Sequence, residues 1–284
     1  MSDTSWHSPD YPELRSGPPW VMQEMIARQP ELAPAILDAT GPAAEVAALV
    51  RETVAIRLPV TVCGCGTSEH GALAVAALIA TALPSDERWL VCARPALSAL
   101  LEPAPGLCLA VSHDGGTRAT LLALEAARRE GARTAAITAR PDAAVAGAAE
   151  LVVPTPALDR SGCHTVAYVS AVLAGTAVAA ALRLPGVASG AARRLLADAL
   201  AAPGYERTAT ALARSRTVLT AGAGVDHVTA RELALKIAEG ARIPTVALEL
   251  ETAMHGQLVA HDGGDALVLV ALSEHGRDRV ARRA

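Results

Sequence analysis

From Val60 onward, short apolar runs alternate with longer segments in which apolar residues recur every three or four positions. Short apolar runs bounded by glycine, proline or charge are typical of strands buried on both faces, and the longer segments are typical of helices. The predicted strands are Val60–Cys63, Trp89–Cys92, Leu107–Val111, Thr134–Thr138 and Leu151–Val153. The helices predicted after them are Glu69–Leu83, Ala96–Leu101, Thr117–Arg129, Ala143–Ala148 and His164–Leu182. This alternation predicts an α/β fold, a three-layer αβα arrangement around a flavodoxin-like, five-stranded parallel sheet.

The region before the first strand, residues 1–58, is predicted to contain an arm and helices, with no strand. We expect its first 17 residues to form an arm and Pro18–Gln29 to form a helix. Pro30 is expected to interrupt the helical pattern, because proline lacks a backbone N–H and clashes with the preceding turn. Helices are then predicted over Ala33–Ala39 and Ala43–Arg57.

The alternation restarts after a linker, residues 185–204, in which a short helix is predicted. The restarted pattern predicts strands at Val218–Ala221, Thr245–Leu248 and Ala266–Leu272, with helices at Tyr205–Arg214 and His227–Ala238. This order echoes the first half, as an internal duplication would. The predicted organisation is therefore a first domain over 59–184 and an apparently truncated second domain of similar type over 205–284.

The segment Val111–Thr117, with the sequence VSHDGGT, joins a predicted strand to a predicted helix through two glycines. Free backbone N–H groups, a helix dipole and hydroxyl groups meet at such a turn, and together they favour an anion. The same pattern also fits an ordinary strand-to-helix turn, with Thr117 capping the helix.

Composition narrows the function classes. The chain is 51% hydrophobic and lacks Phe, so its core must be built from Ala, Val and Leu. The net charge is -4, and no arginine cluster carries interleaved aromatics, so no nucleic-acid partner is expected. The apolar stretches are too interrupted for a membrane span, and Met1–Asp10 lacks the layout of a signal peptide. Five cysteines, mostly in apolar runs, predict free thiols in a reducing, cytoplasmic compartment.

Several segments together resemble the sugar isomerase (SIS) family, in particular the double-SIS isomerase domain of glucosamine-6-phosphate synthase. Residues 20–30, WVMQEMIARQP, are similar to the opening helix of that family, and 65–68, CGTS, to its first sugar-binding turn. The segment 111–117 lies where the family has its phosphate loop, and 164–168, HTVAY, where it has STKAF. Residues 232–239, ELALKIAE, resemble EGALKLKE, and 254–257, MHGQ, resemble KHGP at the family spacing.

The resemblance implies a site for a sugar phosphate or amino sugar. The residues that it assigns to ligand binding are Cys65, Gly66, Thr67, Ser68, Ser112, His113, Asp114, Gly115, Thr117, His164 and Thr165. Glu239 would move a proton between C1 and C2 of the open-chain sugar, and His255 would help to open the ring and reach a neighbouring subunit. One glutamate can serve both carbons, so no cofactor and no metal is expected. A homodimer or higher homo-oligomer is expected.

The predicted anion site departs from the family at three positions. Asp114 replaces a serine, Gly116 replaces a glutamate, and His164 replaces a serine. A carboxylate beside a phosphate dianion is repulsive, so two interpretations stay open. Either protonated His164 or His113 offsets Asp114 and phosphate still binds, or the ligand differs. In the second case Asp114 takes a sugar hydroxyl or amine, or the His and Asp side chains hold a metal.

Three functions compete at this point. The first is an aldose–ketose isomerase or an amino-sugar-phosphate isomerase or deaminase. The chain ends before the further lysine of the family and has no glutaminase domain, so glutamine-dependent amidotransfer is not expected. The second is a non-catalytic module that senses a sugar derivative. The third, a nucleotide-binding enzyme, is weakly supported because neither GxG turn, 64–66 or 222–224, has the third glycine at the right offset.

Overall fold

The computed structural model describes residues 12–13, 15–272 and 274–281. It divides into two compact units, residues 1–200 (unit 1) and 201–284 (unit 2). Most of the predicted N-terminal arm, residues 1–11 and 14, lies outside the described residues. Among the described residues, no single helix is both long and apolar enough to cross a membrane, although the bent pair Val21–Leu37 and Thr40–Ala55 reaches that length and composition when combined.

Unit 1 is built on a five-stranded parallel sheet with the order β2-β1-β3-β4-β5. The strands are β1 (Val60–Gly64), β2 (Val91–Pro95), β3 (Leu107–Val111), β4 (Arg133–Thr138) and β5 (Leu151–Pro154). The helices are α1 (Val21–Leu37), α2 (Thr40–Ala55), α3 (Thr67–Ala82), α4 (Ala96–Leu101), α5 (Arg118–Arg129), α6 (Ala144–Gly147), α7 (Val166–Leu182) and α8 (Ser189–Ala201). The predicted flavodoxin-like sheet is confirmed.

The two faces of this sheet carry side chains of different size. Alternate residues of a strand point to opposite faces, so each strand contributes to both. On β3, Leu107, Leu109 and Val111 belong to a large core that α1, α2, α3 and α7 complete, whereas Cys108 and Ala110 belong to a smaller core beneath α4 and α5. No aromatic ring enters either core among the described residues.

Two predictions about the edges of elements are wrong. Helix α1 continues through Pro30 instead of ending there, because the residues on either side form one buried stripe. The lost N–H is outweighed by that stripe, which includes Met25, Leu32 and Ile36. Trp89 lies in a 3-10 turn before β2 and not in the strand, and its exposed ring covers the guanidinium of Arg57.

Unit 2 repeats the first three strands of unit 1. Its strands are β6 (Val218–Gly222), β7 (Thr245–Glu249) and β8 (Ala266–Val270), parallel in the order β7-β6-β8. Its helices are α9 (Tyr205–Leu212), α10 (Val225–Ala241), α11 (Leu250–Met254) and α12 (Glu274–Ala281). The central strand β6 is fully buried and β7 and β8 flank it, as β2 and β3 flank β1.

Candidate functional site

The first glycine-rich turn joins β1 to α3. A Cβ on Gly64 would lie 2.4 Å from the carbonyl oxygen of Ser68, so only glycine lets the helix start this close to the strand. Gly66 has φ +56°, a conformation that glycine adopts readily. The turn therefore brings Thr67 and Ser68 into the first turn of α3, at the carboxyl edge of the sheet.

The second turn, Ser112–Thr117, follows β3 and is held by its own backbone. The N–H of Gly115 donates to the carbonyl of Ser112 at 3.2 Å, and the N–H of Gly116 donates to Oδ1 of Asp114 at 3.1 Å. Gly115 has φ +67°. Asp114 thus closes an Asx-type turn, which explains the carboxylate locally without any ligand.

Hydroxyl groups around this turn lack hydrogen-bond partners. Oγ of Ser112 is buried and has no hydrogen-bond partner. The same is true of Oγ1 of Thr165, at the start of α7. Thr117 occupies the N-cap of α5, as expected, but its side chain makes no capping hydrogen bond. Because buried polar groups are nearly always paired, these hydroxyls indicate a polar ligand or solvent at this edge.

His113 links the second turn to the loop before α7. Its Nε2 accepts a hydrogen bond from the backbone N–H of Asp159 at 2.6 Å. Burial, and after it the nearby His164, lower the pKa of His113 to about 4, although Asp159 and Asp114 oppose the change. His113 is therefore neutral near pH 7, and the expectation that protonated His113 offsets Asp114 is wrong.

Asp159 is a site residue that the sequence analysis missed. Its fully buried carboxylate accepts hydrogen bonds from the N–H and Oγ of Ser161 and from the N–H groups of Thr165 and Val166. It therefore caps the N-terminus of α7 with a negative charge. The only signal in the sequence is the Asp-x-Ser spacing, typical of an Asx turn, and it does not reveal the bonds to α7.

The His and Asp side chains of this edge do not form a metal site. His113 and His164 have ring centroids 5.6 Å apart, but Nε2 of His113 and Oδ1 of Asp114 already accept backbone N–H groups. Within the part of the chain that the structure describes, no three His, Cys, Asp or Glu side chains gather so as to hold a metal ion.

Unit 2 contains a copy of the first turn with different side chains. Gly224 has φ 56° and ψ −125°, against 56° and −127° at Gly66. A Cβ on Gly222 would lie 2.6 Å from the backbone of Asp226, so this glycine is also required. Val225 and Asp226 follow where unit 1 has two hydroxyl residues, and Oδ2 of Asp226 accepts the N–H of Leu272 at 3.1 Å.

Glu239 lies near the end of α10, one turn beyond the single lysine of the sequence. Nζ of Lys236 donates to Oε2 of Glu239 at 2.5 Å and lies 3.6 Å from Oε1 of Glu232. The Glu239 side chain is 35% exposed and that of Lys236 14%. A carboxylate with one oxygen held by an ammonium group keeps its other oxygen available to a ligand proton.

His255 ends α11 and is well exposed. Its Nε2 lies 3.3 Å from Oε2 of Glu251, and its side chain is 65% exposed. Gly256, with φ +147°, turns the chain away directly after it.

The predicted site residues fall in both units. In unit 1, the turns after β1 and β3 and the loop before α7 lie together. Glu239 and His255 lie in unit 2.

Comparison with known proteins follows the sequence resemblance. No model of a known protein family matches the chain. The chain is 33% identical over 185 residues to the glutamine–fructose-6-phosphate aminotransferase (isomerizing) of Zymomonas mobilis. The matched region is 59% of this chain and 30% of that protein. The chain thus spans less than a third of the length of this relative.

Solved structures share the fold. Tagatose-6-phosphate ketose/aldose isomerase from Escherichia coli has a TM-score of 0.76 at 18% identity, over 93% of this chain and 79% of that chain. The C-terminal domain of glucosamine-fructose-6-phosphate aminotransferase from Francisella tularensis has a TM-score of 0.72 at 17% identity, over 95% of this chain and 81% of that chain. The resemblance to the isomerase domain of such aminotransferases is confirmed, and the fold is the SIS fold.

Proposed function

We propose that this SIS-fold chain binds a sugar phosphate at the carboxyl edge of the sheet in unit 1 and interconverts its aldose and ketose forms. The observation that carries the proposal is the buried Oγ of Ser112, which has no hydrogen-bond partner at a turn rich in glycine. Thr117, at the end of the same turn, and Thr165, whose Oγ1 is also buried without a hydrogen-bond partner, offer two further hydroxyls. Hydroxyls and turn amides of this kind suit the three acceptor oxygens of a phosphate ester.

The proposed chemistry is a proton transfer between neighbouring carbons. Glu239 takes the proton from C2 of the open-chain aldose, which leaves an enediolate, and returns it to C1 while a proton moves from O2 to O1. The products then have the same atoms as the reactant, so no cofactor is needed. Lys236 orients Glu239 through the contact of 2.5 Å between its Nζ and Oε2 of Glu239, which leaves Oε1 to reach the substrate proton.

His255 is proposed to assist ring opening. An exposed imidazole that pairs with Glu251 can donate a proton to the ring oxygen and accept one from the anomeric hydroxyl. Its 65% exposure fits a group that faces a neighbouring subunit, and we therefore include a homodimer or higher homo-oligomer in the proposal.

The test uses binding and turnover together. Fructose 6-phosphate at 100 times its dissociation constant is expected to raise the free energy of unfolding by ~2.7 kcal/mol, which corresponds to a rise of ~5–11 °C in the melting temperature. Unphosphorylated fructose is expected to give no shift. Glu239→Gln should lower isomerisation, and the exchange of the C1 or C2 proton with solvent, by about a hundredfold or more.

The affinity of Glu239→Gln for the ligand shows whether Glu239 acts as a base or only supports the structure of the site. Glu239→Gln should bind fructose 6-phosphate with unchanged affinity, because the amide keeps the shape of the carboxylate. Glu206→Gln, at an exposed glutamate of α9 in the same unit, is the matched control and should keep full turnover. Turnover that persists in Glu239→Gln would overturn the role of Glu239 as the base, absence of turnover in the wild type would remove the isomerase assignment, and no shift with any sugar phosphate would remove the proposal.

A non-catalytic sugar-phosphate sensor is the second candidate. The altered second turn favours it, because Asp114 places a carboxylate where the resemblance implies a serine of the phosphate loop. A sensor would bind fructose 6-phosphate but leave its C1 protons unexchanged in heavy water, in the wild type as in Glu239→Gln. The same exchange experiment therefore decides between the two functions.

A further inference from the structure

The loop that follows β4 is fastened to the second turn. The N–H of Ala139 donates to the carbonyl of His113 at 2.9 Å, and the N–H of Val145 donates to the carbonyl of Gly115 at 3.0 Å. A Cβ on Gly115 would lie 2.6 Å from Cβ of Ala143 and 3.4 Å from the carbonyl oxygen of Arg140. The backbone therefore fixes Arg140 at the rim of the turn that carries Asp114.

The guanidinium of Arg140 is held by an exposed partner. Its Nε and Nη2 donate to the two carboxylate oxygens of Asp142 at 2.9 and 3.0 Å. Hydrogen bonds to Asp142 raise the pKa of Arg140, and the charge of Asp114 also contributes. Both side chains of the pair are more than 40% exposed, at 47% and 68%. Exposed pairs contribute little to stability, so this one can be exchanged for a ligand.

A permanent cation beside this turn would favour a phosphate. Asp114 brings a negative charge, and His113 is neutral and already bonded to the loop before α7. A guanidinium offers two parallel N–H donors that match two oxygens of a phosphate ester, as it matches the carboxylate of Asp142 here. Arg140 also carries its charge at any pH at which the protein is folded.

We propose that Arg140 exchanges Asp142 for the phosphate of the ligand, offsets Asp114, and so gives this site its preference for phosphorylated over unphosphorylated sugars. This inference rests on the proposed function, because it assumes that a sugar phosphate is the ligand. It assigns opposite effects to two neighbouring side chains. Arg140 favours binding, whereas Asp142 competes with the ligand for the same donors.

The experiment measures the affinity of fructose 6-phosphate and of inorganic phosphate by calorimetry on the full chain. Arg140→Gln should weaken fructose 6-phosphate about ten- to a hundredfold, the range expected for a hydrogen-bonded charge. Asp142→Asn should strengthen it severalfold by releasing Arg140, and Asp114→Asn should recover part of the loss in Arg140→Gln. Raising the salt concentration should weaken binding in the wild type more than in Arg140→Gln.

The matched control is Arg128→Gln, at an exposed arginine near the other end of α5. This variant also removes one positive charge, but at a position about 15 Å along α5 from the second turn, and it should leave the affinity for fructose 6-phosphate unchanged. Melting temperatures of all variants check that they fold, and Arg140→Lys provides a second variant that keeps the charge without the paired donors. Arg140→Lys should bind more weakly than the wild type and more tightly than Arg140→Gln.

The outcomes separate this inference from the function on which it rests. Wild-type affinity in Arg140→Gln would overturn the role of Arg140 while leaving the sugar-phosphate site in place. Loss in Arg140→Gln without any gain in Asp142→Asn would overturn the exchange of partners. Absence of binding by the wild type would remove the proposed function, and this inference with it.

Discussion

His113 illustrates how a single side chain can serve two loops. The imidazole is buried against the loop before α7, and its Nε2 receives the backbone N–H of Asp159. The bond requires the neutral ring with its proton on Nδ1, since a protonated imidazole has no acceptor. Protonation would therefore break the link between the second turn and that loop.

This neutral state predicts a pH dependence of stability. The folded pKa of about 4 lies below the ordinary value of 6.5, so the unfolded chain binds a proton first as the pH falls. The contribution of His113 is complete above pH 6.5 and is lost as the pH falls from there toward 4. We expect His113 to account for a loss of roughly 2–3 kcal/mol in the free energy of unfolding between pH 7 and pH 4.5.

Denaturant titrations of the wild type and of His113→Gln at several pH values isolate that contribution. The glutamine carbonyl can accept the same N–H but does not titrate in this range, so its curve should be flatter by that amount. Parallel curves for the two proteins would show that His113 keeps an ordinary pKa in the folded chain.

At the scale of the element, the two strand–turn–helix units depend on glycines that allow close approach. Gly64 and Gly222 end the first strands of their sheets, β1 and β6, where a Cβ would meet the backbone of the following helix at 2.4 and 2.6 Å. Backbone atoms cannot rotate away as a side chain can. A methyl group at either position must therefore push the helix from the strand.

Gly64→Ala is expected to lower the free energy of unfolding by roughly 2 kcal/mol or more, because it overpacks a rigid site. Gly147→Ala is the matched control, since the structure places no atom within 4 Å of its added Cβ. That variant should be neutral or more stable by roughly 0.5 kcal/mol, through the entropy of the unfolded chain. Equal melting temperatures for the two variants would contradict the close approach at Gly64.

Most elements could be predicted because their signals are local. Glycines after apolar runs indicate the turns after β1, β3 and β6, and the strand cores follow from the runs themselves. Pro30 misled the prediction of α1, since its lost N–H is visible in the sequence but the buried stripe that keeps the helix intact is a tertiary feature. Helix α11, which has five residues, was not predicted.

At the scale of the whole molecule, the two units differ in how much apolar surface they bury. The core cluster of unit 2, in its described part, comprises Leu219, Ala221, Leu248, Leu250 and Ala253, and Val218, Val228, Ala230 and Ala234 are also buried. Its sheet leaves Val246, Leu267 and Leu269 about 40% exposed, at 40%, 43% and 42%. Unit 1 instead covers its sheet on both faces.

This difference predicts unequal protection of backbone amides. Amides of β6 and β8 should exchange with solvent at a lower free energy of opening than those of β1 and β3, because less apolar area is exposed when unit 2 opens. Hydrogen exchange followed by mass spectrometry on the intact chain measures both sheets at once. Equal protection of β1 and β6 would show that the two units open together.

The candidate site was less predictable than the fold. Ser112, Thr117 and Thr165 follow from the resemblance, and the structure adds that the Ser112 and Thr165 hydroxyls lack partners and that Thr117 makes no capping bond. Asp159 and Arg140 escaped prediction, because only the folded chain brings the loops that carry them against the second turn, through the bonds of Asp159 to His113 and of Ala139 to His113. The roles of Glu239 and His255 rest on the resemblance, since a helical glutamate and an exposed histidine look ordinary in sequence.

The matching turns of the two units also bear on how this molecule can evolve. Gly64 and Gly66 set the same backbone as Gly222 and Gly224, although the next two residues are Thr and Ser in one unit and Val and Asp in the other. A few codon changes after the glycines can therefore replace one ligand chemistry with another, while the glycines keep the backbone of the turn unchanged. Selection on such a chain can explore new substrates without first having to invent a new fold.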